Sequence, residues 1–200
     1  AAQVVRLKAF LDMMGIERCH LGGNSMGGFI ALAFALDHPD RVASLSLFNN
    51  AGVDGPEQSR LQEQMSEGEN PIQVRSPRDV DRVLRLIIHR PPLIPFFIRY
   101  LILAEHRRYE HLLNSIFEQV IRDALERPLG ERLPEIQMPT IIFWGEQDQL
   151  LHVSAARFQH EHITGSKLVI FDNVGHVPMI EKPCGLARHH RKFLAEAEAE

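Results

Sequence analysis

The chain has 200 residues, 44% of them hydrophobic and 24% charged, with a formal net charge of −4. Such a chain is long enough to bury a sizeable core, and its ordinary balance reads as a soluble globular unit. Its acidic net charge excludes the basic footprint of a nucleic-acid-binding domain.

Residues 1–15 carry Val4, Val5, Leu7, Phe10, Leu11 and Met14 at helical spacing. Cys19-His20-Leu21-Gly22 then reads as a strand and Met26 through His38 as a helix, with Gly23-Asn24-Ser25-Met26-Gly27 at the junction. A G-x-S-x-G pentapeptide there suits a nucleophile elbow, whose strained turn projects the serine hydroxyl above the sheet. Small residues two before and two after the serine relieve the crowding of that turn. The Met26 N–H, at the positive end of the new helix, would face a carbonyl under attack.

Val42-Ala43-Ser44-Leu45-Ser46-Leu47-Phe48 reads as the next strand and ends at Asn49-Asn50. A helical stretch from Pro56 to Leu133 follows, punctuated by Pro71, Pro77, Pro91-Pro92, Pro95 and Pro128. It is too long for a simple crossover and is expected to form a cap. Strand 140–144, helix 154–162, strand 168–171 and a final helix from Glu181 complete the alternation. Strands alternating with helices imply a parallel sheet, hence an α/β fold. The expected division is a core over 1–55, a cap insertion over 56–133 and a second core segment over 134–200.

Two residues beyond strand ends complete a catalytic pattern. Asp148 follows the apolar run ending at Trp144, and His176 follows the run ending at Phe171. Serine is a poor nucleophile until a base takes its proton; an imidazole does so, and a carboxylate fixes its tautomer. Asp54 and Asp172, also placed after strands, are the rival acids. His160 with His162 and the pair His189-His190 point to different helix faces, so no metal site is expected. No cofactor is implied.

With these residues in place the chain resembles the α/β-hydrolases, which use the same order of Ser, Asp and His. The stretch Gly22-Gly23-Asn24-Ser25-Met26-Gly27-Gly28 is similar to monoacylglycerol-lipase-like esterases and to the C–C bond hydrolases of aromatic degradation. The 35–42 and 144–149 segments are also typical of the family. The resemblance implies a triad of Ser25, Asp148 and His176, with Met26 as an oxyanion-hole donor. It also implies several strands ahead of residue 1, including a loop that supplies the second donor. The chain is therefore expected to be a fragment, with the Ser25 strand as an exposed edge prone to self-association.

The cap segment 92–103 is apolar on nearly all sides and too short to span a bilayer. It is expected either to pack as cap core or to meet lipid, with Phe96, Phe97 and Leu101 as substrate-binding candidates and a peripheral membrane contact among the implied partners. The function implied is a serine hydrolase of carboxylic esters of lipid-like or monoacylglycerol type. The alternatives are a C–C bond hydrolase of a meta-cleavage product and a non-catalytic binding module. Val177-Pro178-Met179 after His176 lacks the tryptophan that C–C hydrolases carry there. Cys19 and Cys184 read as free thiols, buried or half-buried. Localisation stays open, with the cytoplasm as default.

Overall fold

The computed structural model describes residues 2–68 and 70–199; Ala1, the expected start of the first helix, and Glu69 and Glu200, inside the expected cap and second core segment, lie outside them. Four strands, β1 (Cys19–Ser25), β2 (Val42–Asn50), β3 (Thr140–Gly145) and β4 (Lys167–Phe171), pair in parallel in the order β1-β2-β3-β4. Among the described strands, β1 is therefore an edge, with His20 and Gly22 as its exposed residues. β3 is buried at all six positions, as a parallel strand covered on both faces must be.

The alternation of side chains along β2 and β3 sorts the core into two layers. Leu45, Leu47, Ile142 and Trp144 face one layer, shared with α1 (Ala2–Met13), α2 (Met26–Asp37) and α6 (Ser154–His162). Phe48, Ile141 and Phe143 face the other, where α8 (Pro183–Ala197) contributes Leu186 and Phe193. Helix α2 is apolar nearly throughout, with eight buried residues, so it is a core helix rather than an amphipathic one.

Between β2 and β3 run α3 (Arg60–Ser66), α4 (Pro77–Ile87) and α5 (Phe96–Glu126). Their ends follow the local chemistry. Ser59 and Gln62 form a reciprocal capping box ahead of α3, at 3.1 and 2.7 Å. Pro77 opens α4, and Ser76 donates both its N–H and its hydroxyl to Asp79 Oδ2. Val74, Val80 and Leu103 form a small separate apolar cluster there. At the far end of α5, Arg127 and Arg132 both reach Asp37, at the end of α2, at 2.9 and 3.1 Å.

The sequence reading of the last helix needs correction. A short α7 (Pro178–Glu181) comes first, and Lys182, at φ −141°, breaks the chain before α8 starts at Pro183. The first strand also runs further than expected, to Ser25, while the second ends at Asn50 as its pattern indicates. Cys184 is exposed rather than buried or half-buried, whereas Cys19 is half-buried and burial pushes its thiol pKa up. Among the described residues no helix is long and apolar enough to cross a membrane.

Candidate active site

The turn at Ser25 is held in a conformation that side chains rarely adopt. Its φ is 54° and its ψ −121°, one residue before α2 begins. Such strain persists only where the surroundings over-determine it. Here the register between β1 and β2 slips between Asn24 and Ser25, and the Ala51 N–H reaches back to the Ser25 carbonyl at 3.0 Å. The close approach of α2 to the end of β1 explains the glycines. A Cβ on Gly23 would stand 2.2 Å from the Gly27 carbonyl oxygen, and one on Gly28 would stand 2.3 Å from Asn50 Cβ. The second crowded position is Gly28, not the motif's own Gly27, where an added Cβ meets nothing within 4 Å.

Asp148 and His176 stand at the ends of β3 and β4, and the fold brings them together. His176 Nδ1 lies 2.7 Å from Asp148 Oδ2, with both residues buried. The same oxygen accepts from Asn49 Nδ2 at 2.6 Å, while Oδ1 accepts the Leu150 and Leu151 N–H groups at 2.8 and 3.1 Å. Both carboxylate oxygens are thus occupied by donors. With Nδ1 donating to Asp148, the tautomer assigned to His176 leaves Nε2 as an acceptor. Nε2 is buried and without a hydrogen-bond partner, Ser25 included. Hydrogen bonds between nucleophile and base are often long before substrate arrives.

The turn at Ser25 and the loop that carries His176 are tied to each other directly. Asn24 Nδ2 donates to the Phe48 carbonyl at 3.0 Å and to the His176 carbonyl at 3.2 Å. A profile of the alpha/beta hydrolase family matches residues 1–189. The chain belongs to that family.

The chain is similar to lipase 1 of Psychrobacter immobilis, at 28% identity over 200 residues, covering 100% of this chain and 63% of that protein. It is also similar to the monoacylglycerol lipase ABHD6 of Rattus norvegicus, at 29% identity over 202 residues, 96% of this chain and 60% of that one. Among solved structures it is similar to a membrane phospholipase A described as a bacterial virulence factor. That match has a TM-score of 0.91 and 36% identity, and covers 100% of this chain and 64% of the other. A meta-cleavage product hydrolase, CumD, superposes with a TM-score of 0.80 at 23% identity over 96% of this chain and 70% of that one, a likeness of fold alone. The chain spans about 60% of the length of these relatives.

Within this α/β-hydrolase the other expected residues fall as follows. Met26 is the first residue of α2, so its N–H has no acceptor inside the helix. Asp54 accepts from Gln62, and Asp172 is exposed and accepts from Gln147 and Asn173, so neither rival acid meets His176. Phe96, Phe97 and Leu101 lie at the start of α5 and are 68%, 64% and 63% exposed. Among the described residues no group of three or more His, Cys, Asp or Glu could hold a metal ion.

Two residues at the site went unread. Asn49, fully buried at φ 42°, bonds Asp148, and Asn24 bridges the two halves of the site. An asparagine at the end of a buried strand, where left-handed backbone favours Asn, was the available signal for the first.

A cavity of about 590 Å³ lies between the core and the helices that join β2 to β3, and neither Ser25 nor His176 lines it. Ala51 and Val53 line its core side, and Leu61, Met65, Val120 and Leu125 its cap side.

Proposed function

We propose that the protein is a serine hydrolase that cleaves carboxylic esters of lipid-like or monoacylglycerol type through an acyl-enzyme on Ser25. The observation that carries this reading is the buried His176–Asp148 pair at 2.7 Å, with Nε2 left unpartnered and its loop tied through Asn24 to the turn that holds Ser25 at φ 54°. His176 Nε2 takes the hydroxyl proton as Ser25 Oγ attacks the ester carbonyl. The Met26 N–H faces the oxyanion that forms. His176 then protonates the leaving alcohol oxygen, and afterwards draws a proton from the water that releases the acid. Asp148 stays ionised and stabilises the imidazolium.

The relatives named lipase, monoacylglycerol lipase and phospholipase support a lipid ester as substrate. Residues 56–133 serve as the cap. Phe96, Phe97 and Leu101, too exposed to be cap core, meet the lipid surface from which substrate is drawn.

The test is turnover across a series of esters of increasing acyl length, with Ser25→Ala alongside. Hydrolysis that rises with chain length and falls at least about 10⁴-fold in Ser25→Ala supports the proposal. Activity that survives the substitution would refute it. Cleavage of a meta-cleavage product, with esters left untouched, would favour the C–C hydrolase instead.

A further inference from the structure

His176 is fixed by more than Asp148. Its own N–H donates to the Ile87 carbonyl, in the last turn of α4, at 2.7 Å. Directly beside that contact sits the carboxylate of Glu181, the last residue of α7. One oxygen, Oε1, accepts the Gly175 N–H at 2.8 Å; the other, Oε2, accepts the His89 N–H at 2.8 Å. Gly175 is the residue before His176, and His89 follows the end of α4. A single carboxylate therefore joins the histidine loop to the cap.

The packing around this junction leaves no slack. A Cβ on Gly175 would stand 2.6 Å from the Ile87 carbonyl oxygen, 2.9 Å from the His89 nitrogen and 3.1 Å from Glu181 Oε1. Hydrogen bonds to an ionised acceptor are roughly twice as strong as neutral ones. The α7–α8 break, which the sequence pattern did not anticipate, leaves Glu181 at the end of its own short helix.

We infer that Glu181 is a positioning residue for His176. Its two-ended carboxylate clamp sets the height of the histidine loop against the cap, so that Nε2 stays aimed at the position of Ser25. The inference rests on His176 being the general base. It goes beyond the triad in coupling the base to cap placement. A shift of the α4 exit pulls on His89, and through Glu181 on the backbone that carries the imidazole.

The experiment compares the protein carrying this chain with Glu181→Gln and Glu181→Asp. Three quantities are read per folded molecule: the rate at which a fluorophosphonate labels Ser25, kcat and KM for a soluble short-chain ester, and amide hydrogen exchange. Glu181→Gln keeps one acceptor and presents an NH2 to the second amide, so it opens one end of the clamp. The expected result is a fall of about 10- to 100-fold in labelling rate and kcat, with KM within about twofold, as for other residues that orient a functional histidine. Exchange of the Gly175 and His89 amides should rise together, while the Leu150 and Leu151 amides held by Asp148 stay protected. Glu181→Asp, which keeps both acceptors, should recover part of the loss. Labelling and kcat unchanged in Glu181→Gln, whatever the melting temperature does, would overturn the inference and leave the proposed function standing. No labelling of Ser25 in the unsubstituted protein would overturn the proposed function itself, and the positioning role with it.

Discussion

The end of the sheet that carries Ser25, Asp148 and His176 and the helical segment between β2 and β3 are built in opposite ways. At the sheet end, Asp148 takes four donors from three segments of chain, and Asn24 and Glu181 tie neighbouring loops together. In the cap, the buried apolar cluster is Val74, Val80 and Leu103, and Leu93, Phe96, Phe97 and Leu101 stay largely exposed. The difference is one of what each region must do. A base and its acid must be held to fractions of an ångström, which takes directional bonds from several elements. A surface that meets a fluid, variable partner needs area and little specific geometry. On the proposed function, chemistry is fixed by the core and access is left to the helices between β2 and β3.

The comparison breaks first at Asp148. In Asp148→Asn the amide can donate to Nδ1, moving the ring proton to Nε2, where it cannot accept from Ser25. The expected loss in kcat is about 10⁴-fold, checked by ester turnover at constant folded fraction. A loss of only a few-fold would mean that Asp148 does not set the tautomer.

Asn49→Gly asks how much the supporting amide contributes. Glycine tolerates the φ of 42° at that position, so the substitution removes the bond to Asp148 Oδ2 without adding backbone strain. Turnover should fall about 10- to 100-fold, read in the same assay with a melting curve as control.

The cap side is sharpened by Phe96→Ser combined with Phe97→Ser. Both side chains are exposed, so thermal stability should move by no more than about 0.5 kcal/mol per site. Hydrolysis of lipid in vesicles should drop several-fold, while a soluble short-chain ester is cleaved as before. Equal loss on both substrates would place these residues in catalysis, not at a surface.

The smallest effect concerns pH and the far face of the sheet. Burial, with the nearby His20 second, holds the His190 pKa below its ordinary value of 6.5. Its ring accepts from or donates to Ser46 at 2.9 Å and packs edge-on to Phe48 and Phe143. The folded state therefore favours neutral His190. That stabilisation is complete above the ordinary histidine value and is lost as pH falls below it. Melting temperature should decline between pH 7.5 and 5.5, and decline less in His190→Gln.

How far the sequence foretold this depended on the range of the interactions. Ser25 was picked out by its G-x-S-x-G turn, and Asp148 and His176 by the apolar strand runs that precede them, all of them local signals. The prolines marked where α4 and α5 begin, since a fixed φ and a missing donor act locally. Asn49 and Glu181 were not legible in this way. Their roles depend on partners that lie 99 and 92 residues away, the Asp148 carboxylate and the His89 N–H, which the pattern around either residue does not reveal. Phe96, Phe97 and Leu101 were read as apolar from composition, but which way they face depends on the packing of α4 against α5.

The central claim is that His176 and Asp148 activate Ser25. The most direct measurement is reaction with a fluorophosphonate, followed by peptide mapping, on the unsubstituted protein and on His176→Ala. The account predicts a label on Ser25 that disappears when His176 is removed. A label on another residue, or equal labelling of Ser25 without His176, would contradict it.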